Sequence, residues 1–311
     1  MRPVVSIITP TRNRPAGLAR AYASLRRQTL DDWEWVVVDD ASGTHYATAL
    51  TQDDRRVRLV RLPQNLGKGG ARNAGLAAAT GEWVGFLDDD DELLPHALGT
   101  LYAMTQARGG SPAVYRGAML VDRGGGDARV VTPFFRSADP WISALFEIGN
   151  IFPWIAPAAS AKAIQFRSRS IFQDADFFLR LTTDLPIVRM PEPLGIYHLY
   201  GASSSAQAAV RTDADDFLTE GLVATDELFE STRLRIASYR AAGVRRLARA
   251  ARIVWHASTF DQYPILRAWR VALQECCKPI VWYWLARVTY LRVEKYFPAL
   301  RSFRVRLRRS P

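Results

Sequence analysis

The chain of 311 residues has very little cysteine and histidine: two cysteines, adjacent at Cys276 and Cys277, and four histidines, His45, His96, His198 and His256. Adjacent cysteines rarely bridge, so a disulfide framework is excluded and a reducing compartment is expected. The histidines show no zinc-ligand spacing. No uncharged apolar run reaches the roughly 18 residues that a membrane-spanning helix needs. The first residues lead directly into a strand pattern with no signal-peptide pattern before it, so the expectation is a cytoplasmic protein, either soluble or peripheral on the inner face of the plasma membrane. Acidic charge is also in deficit. Against 41 lysines and arginines there are 31 aspartates and glutamates, a formal charge of +10. An excess of this size points to an anionic partner. Nucleic acid is set aside because no RNA- or DNA-binding signature accompanies the charge.

The scarce acids are concentrated where they matter. Trp83 to Leu87 is an apolar stretch that runs into Asp88-Asp89-Asp90-Asp91. The apolar part reads as a buried strand, which would place four carboxylates in one small volume at its end. Like charges that close raise one another's pKa. A divalent cation with a preference for hard oxygen ligands, Mg²⁺ or Mn²⁺, removes the penalty. The plainer alternative is a solvated acidic turn.

Strand patterns at 4–8, 34–38, 57–62 and 83–87 alternate with helical patterns at 18–27, 44–50, 71–79 and 93–106. Such alternation predicts a parallel, doubly wound sheet with all strand C-termini on one edge. That edge would carry Thr11, Asp39, Asp40 and Asp88 to Asp91, in the position where open α/β sheets bind ligands. Beyond residue 110 the pattern changes. Strands are expected at 113–121 and 128–132, paired antiparallel across a glycine-rich turn. A stretch rich in proline and aromatics spans 133–160. A helix is expected at 174–182, with short strands at 187–190 and 194–200. From about residue 213 the chain reads as helical and increasingly basic.

Four motifs stand in a recognisable order: Val5 to Asn13 (VSIITPTRN), Trp33 to Ser42 (WEWVVVDDAS), Asn65 to Gly75 (NLGKGGARNAG) and Phe86 to Asp91 (FLDDDD). Together they resemble the family 2 glycosyltransferases. The match is strong over 3–106, weaker over 107–205 and absent beyond. The resemblance implies an α/β fold of GT-A type, a Rossmann-like doubly wound mixed sheet with a C-terminal helical extension. It divides the chain into a catalytic domain at 1–205 (nucleotide-sugar half 1–106, acceptor half 107–205) and a basic, aromatic-rich extension at 206–311.

It also implies roles. Asp40 would accept a hydrogen bond from the ring N–H of the donor's base, with Pro10, Thr11 and Asn13 lining the same pocket. Arg72, with Lys68, would face the diphosphate, and Asp88 and Asp89 would fall on the donor side. Asp90 would ligate Mn²⁺ or Mg²⁺, with Asp88, Asp91 and His198 as further candidates. In an extended segment Asp88 and Asp90 would share a face and Asp89 would point away. Asp174 would be the catalytic base, although Gln173 stands where relatives carry glutamate. Tyr200 stands near the position of a histidine that completes the metal shell in many relatives.

The expected activity is inverting, metal-dependent transfer from a nucleotide-sugar, UDP favoured, to a hydroxyl of a glycan or lipid-linked acceptor in bacterial-type surface glycan or glycolipid assembly. A non-catalytic nucleotide-sugar-binding or membrane-associated scaffold of the same fold is the alternative. A sugar nucleotidyltransferase would need a glycine-rich loop after the first strand, where this chain has Thr9 to Asn13. The Gln-X-X-Arg-Trp segment of processive synthases is also missing. The tail, 279–309, mixes aromatic and basic residues and suits either an anionic membrane surface or packing against protein.

Overall fold

The computed structural model describes residues 3–43, 54–122, 129–131, 153–167 and 173–198, together with 269–270 and 272–274. The chain divides into two compact units, Met1–Ala208 and Ala209–Pro311. The expected helix at 44–50, the aromatic stretch up to residue 152, Tyr200 and the basic tail lie outside the described residues. Among the described residues no helix is long and apolar enough to cross a membrane.

The first unit is built on one mixed sheet. Its strands are β1 (Val5–Thr11), β2 (Trp33–Asp39), β3 (Val57–Arg61), β4 (Trp83–Phe86), β5 (Glu92–Leu93), β6 (Val114–Asp122), β7 (Arg129–Val131), β8 (Trp154–Pro157) and β9 (Ile187–His198). The order is β3-β2-β1-β4-β8-β6-β9-β5, with β7 paired to β6. The strands β3, β2, β1 and β4 are parallel, as their apolar character predicts. Antiparallel pairing begins at β8, while β9 runs parallel to β6. The result is a mixed sheet with a parallel half that continues into a half containing antiparallel pairs.

Alternation along the strands supplies two cores. Val5, Ile7, Trp35, Val37 and Trp83 face α1 (Pro15–Arg26), through Leu18, Ala21 and Leu25. The same face meets Ala97, Leu98 and Leu101 on a further helix (Ala97–Gln106). Ile8, Val36, Val38, Val84 and Phe86 point the other way, onto α2 (Gly67–Ala78) through Ala71 and Leu76. The helix at Ala97–Gln106 is α3; α4 (Ala158–Ile164) and α5 (Gln173–Asp184) complete that second layer, with Ala161, Phe177, Phe178 and Leu181 buried. Each large apolar side chain buried in this way contributes about 1.5–3 kcal/mol.

Several boundaries differ from the sequence expectation. The helix expected from 71 begins at Gly67, so three glycines of the presumed loop lie inside it. The helix expected from 93 begins at Ala97, because Glu92 and Leu93 pair with Ile196 and Gly195. The two short strands expected at 187–190 and 194–200 are one strand, β9, which continues through Pro191 and Pro193. Its pairing with β6 shifts register near Ala118, opposite Pro193, where a missing N–H can be accommodated. The elements β5, β8 and α4 had no expectation.

A buried glutamate ties the sheet to the acidic segment. Glu34 Oε1 accepts from the Ser6 hydroxyl at 2.5 Å, the Thr80 N–H at 2.5 Å, the Thr80 hydroxyl at 2.9 Å and the Gly81 N–H at 3.2 Å. The turn entering β4 is thereby fixed to β1 and β2. A Cβ on Gly81 would stand 2.8 Å from the Ser6 backbone nitrogen, so only glycine fits. Burial alone would raise the Glu34 carboxyl, but the Ser6, Thr80 and Gly81 hydrogen bonds outweigh it and hold it below its ordinary value near 4.5. Glu34 thus contributes stability above the unfolded-state value, which is lost as the pH falls through the folded one. Glu34→Ala should destabilise by about 3 kcal/mol, with buried donors left unpaired. Glu34→Gln, which keeps an acceptor, should cost less and flatten the acid limb of stability. Urea denaturation between about pH 3 and pH 7 reads both effects.

Candidate active site

The C-terminal ends of β1, β2 and β4 meet at one edge, as the parallel order requires. The acids there sit on a turn and not on an extended segment: β4 ends at Phe86, and the Asp91 N–H donates to the Asp88 carbonyl at 3.1 Å. The argument from two-residue alternation therefore does not apply to Asp88 and Asp90. The turn nevertheless gathers them. Asp88, Asp90 and Asp91 each offer an oxygen, all within 4.8 Å of one another. Asp89 faces elsewhere. Its Oδ2 accepts from the Thr11 hydroxyl at 2.8 Å and its Oδ1 from Arg14 Nη1 at 3.0 Å. Both oxygens are thus engaged by Thr11 and Arg14, apart from the clustered oxygens of Asp88, Asp90 and Asp91.

Cations of the chain surround the acids. Arg72 Nη2 lies 2.7 Å from Asp88 Oδ1, and Lys68 Nζ lies 3.2 Å from Asp88 Oδ2. Arg72 is buried in the second turn of α2, further into the helix than expected, and its guanidinium also lies 5.3 Å from the centre of the Phe166 ring. Asn73 exchanges two hydrogen bonds with the backbone of Phe166, at 2.7 and 2.8 Å, and so ties the residue 166 segment to α2. Arg14 Nη1 is 3.0 Å from Asp90 Oδ2 as well as from Asp89.

These placements separate the acids electrostatically. Burial disfavours charge on Asp88, but Arg72 and Lys68 outweigh it and hold the carboxyl well below the usual range. At Asp89 burial dominates; Arg14 opposes it, Asp90 adds to it, and the carboxyl is pushed up to about 6. Asp91 is raised well above its ordinary value, first by burial and then by Asp90 and Asp88. Three clustered oxygen donors, one of them buried at the cost of its own ionisation, fit a hard divalent cation.

His198, a candidate ligand from the sequence, is engaged through its backbone and its ring. Its backbone N–H donates to Asp91 Oδ1 at 3.2 Å. Its ring lies between Glu92 Oε1, 3.0 Å from Nε2, and Asp122 Oδ2, 3.3 Å from Nδ1. The imidazole therefore braces β5, β6 and β9 behind the acids, and Asp88, Asp90 and Asp91 form the cluster without it.

At the end of β2, Asp40 Oδ1 accepts from the Leu66 N–H at 2.7 Å, and Asp39 Oδ1 from the Ser42 N–H at 2.9 Å. Asn13 adopts φ +55° and Ala41 φ +56°, conformations that are sparsely populated by residues other than glycine. They are locked together: the Asn13 N–H donates to Ser42 Oγ at 3.0 Å, and the Gly43 N–H to Asn13 Oδ1 at 3.0 Å. Thr11, Asn13 and Asp40 thus border one rim. Pro10 is in β1 beside Val38.

At the start of α5 the two acids part. Asp176 is buried and paired with Arg180 at 2.8 Å and Arg167 at 3.4 Å. Arg180 also donates to the Ile164 and Gln165 carbonyls, so Asp176 holds the α4–α5 corner together. Asp174 is half-buried in the first turn. The Gln173 side chain packs so closely on Gly69 of α2 that a Cβ there would stand 2.6 Å from its Oε1. This contact brings the start of α5 against the turn that carries Lys68.

Residues 6–116 match the model of the family described as "Glycosyl transferase family 2". The segment belongs to that family. Among curated relatives, this family 2 domain is 41% identical over 128 residues to the GalNAc(5)-diNAcBac-PP-undecaprenol beta-1,3-glucosyltransferase of Campylobacter jejuni, covering 40% of each chain. The chain thus spans less than half the length of that relative. Among solved structures, S. aureus TarS 1-349 in complex with UDP-GlcNAc superposes with a TM-score of 0.65 at 18% identity, over 96% of this chain and 92% of that one. The mannosyltransferase PcManGT of Pyrobaculum calidifontis, in complex with GDP-Man and Mn²⁺, superposes with a TM-score of 0.57 at 15% identity, over 96% of this chain and 88% of that one. At such identities the superpositions establish the fold.

A carboxyl raised by folding stabilises fully below its unfolded-state value and loses that contribution as the pH rises through its folded value. For Asp89 and Asp91 the loss begins near the ordinary value of 3.8 and, for Asp89, runs through about 6. In a chelator the melting temperature should therefore fall between about pH 4 and pH 7, and Asp91→Asn should reduce the fall. Added Mn²⁺ should raise the melting temperature more at about pH 7.5 than at about pH 5, as calorimetry can check.

Proposed function

We propose that this chain transfers a sugar from a nucleoside diphosphate donor, a UDP-sugar by preference, to an acceptor hydroxyl with inversion at the anomeric carbon. The observation that carries the reading is the meeting of Arg72 and Lys68 with the Asp88, Asp90 and Asp91 oxygens at one sheet edge. A diphosphate needs cations, and a divalent ion that accompanies it needs hard oxygen ligands. Membership of residues 6–116 in the family supports the reading, as do relatives whose names include a UDP-sugar, a GDP-sugar with Mn²⁺ and an undecaprenol-linked glycan.

In this scheme Asp40, its orientation fixed by the Leu66 N–H, accepts the N–H of the base. Thr11 and Asn13 border the same rim. Arg72 and Lys68 bind the diphosphate and stabilise the charge that grows on it as the glycosidic bond breaks. Asp90 and Asp91, with Asp88, would hold Mn²⁺ or Mg²⁺, which would supply Lewis-acid stabilisation of the leaving group. Asp174 is the base that takes the acceptor's proton, a choice supported by the pairing of Asp176 with Arg180 and Arg167. A base on the face opposite the leaving group gives a single displacement and hence inversion. The acceptor is a glycan or a lipid-linked glycan in bacterial surface glycan assembly. The 279–309 segment, with its aromatic and basic residues, would place the enzyme on the anionic inner face of the membrane.

Asp174→Asn should lower kcat by about 10²–10⁴-fold while the donor KM and the melting temperature stay close to those of the parent protein. Product configuration, read by NMR in the presence of Mn²⁺, should be opposite to that of the donor. Retention, or undiminished turnover in Asp174→Asn, overturns the scheme.

A further inference from the structure

Helix α1 begins against its own preferences. Its N-cap residue is Arg14, with no side-chain cap and no acid in the first turn. Helix starts favour Ser, Thr, Asp or Asn, and a positive charge there opposes the macrodipole. The arginine is accounted for by where it reaches. Its side chain is 24% exposed, and one nitrogen, Nη1, bridges the nearly buried carboxylates of Asp89 and Asp90 at 3.0 Å each.

Two residues of the first turns of the helix, Gly17 and Arg20, hold the same two aspartates. A Cβ on Gly17 would stand 2.4 Å from the Asp89 carbonyl oxygen, so the helix backbone lies directly on the turn. Arg20 Nη2 donates to the Asp90 carbonyl at 2.9 Å. With the Thr11 hydroxyl on Asp89, the turn is gripped at its backbone and at both side chains by β1 and α1. Asp89 then serves as the second anchor of the bridging guanidinium.

We propose that Arg14 is a positioning residue for the cation site: by bridging Asp89 and Asp90, it fixes the Asp90 carboxylate in the orientation that ligates a divalent ion. This rests on the reading of Asp90 as a ligand. A second effect of the guanidinium, its repulsion of an incoming cation, has the opposite sign. The direction of change on removing Arg14 therefore discriminates between the two.

The experiment is a titration of the full chain with Mn²⁺, in the presence of UDP, with free Mn²⁺ read by EPR. Arg14→Met should weaken Mn²⁺ binding by about tenfold or more, the range for residues that orient metal ligands. Arg14→Lys, which can place one cationic nitrogen between the same two carboxylates, should restore most of it. UDP affinity in EDTA should be unchanged in both. Unchanged or tightened Mn²⁺ binding in Arg14→Met overturns the inference. If Arg14→Met does not fold, Arg14→Gln carries the same test through its uncharged amide, with the same two outcomes. Asp90→Asn separates this inference from the one beneath it. Undiminished Mn²⁺ binding in that variant overturns the assignment of Asp90 as a ligand. Loss there with none in Arg14→Met overturns only the role of Arg14.

Discussion

Four consecutive carboxylates on a buried turn constitute the constraint around which the first unit is organised. Left alone they would repel one another and resist ionisation. The fold meets the problem residue by residue. Asp88 is ionised by Arg72 and Lys68 from α2, and Asp89 and Asp90 share Arg14 at the start of α1. Asp91, held by the N–H of His198, is raised well above its ordinary value by burial and by Asp90 and Asp88. The elements on either side of the sheet thus do more than bury apolar surface. Helices α1 and α2 present their cations at the same edge from opposite layers, because β1 and β4 are adjacent and parallel.

The parallel half of the sheet was legible because β1, β2 and β4 are nearly continuous apolar runs that end in polar clusters, and the ligand edge followed from topology. The second half was not. Strand β8 has four residues inside an aromatic, proline-rich stretch, and β5 has two; neither is long enough to show a period. The start of α2 was hidden by its glycines, which propensity assigns to a loop. The glycines are there for close approach: a Cβ on Gly69 would meet Gln173, and one on Gly75 would lie 2.3 Å from Ile8. Tertiary packing overrode propensity at the helix that carries Lys68 and Arg72.

Within the site, the residues named by motif were the legible ones, and those that hold them in place were not. Glu34 reads as one polar residue in a strand, and only the coordinates show four hydrogen bonds converging on a single oxygen. Arg14 has a faint signature, Arg-X-X-Gly-X-X-Arg across the start of α1, which is indistinguishable from surface charge until the turn is seen against it. His198 was open to two readings from the sequence, a candidate ligand near a metal motif or a structural histidine, and only the coordinates show its ring bridging Glu92 and Asp122. Chemistry recurs as motifs, whereas support depends on which side chains the chain's own packing brings within 3 Å.

The same pairing bears on how donor and cation would enter under the proposed function. Arg72 and Lys68 neutralise Asp88 in the structure described here, and they are also the groups a diphosphate would claim. A donor arriving alone would draw these cations away from Asp88 and expose its charge to Asp90 and Asp91. A cation arriving alone would meet an Asp88 whose charge is already compensated. Together, each ligand supplies what the other removes: the divalent ion replaces the positive charge that Asp88 yields, and the diphosphate occupies the two basic side chains. Under the proposed function the Arg72 and Lys68 pairs with Asp88 would make donor and cation binding mutually dependent, with each raising the affinity for the other by the same factor.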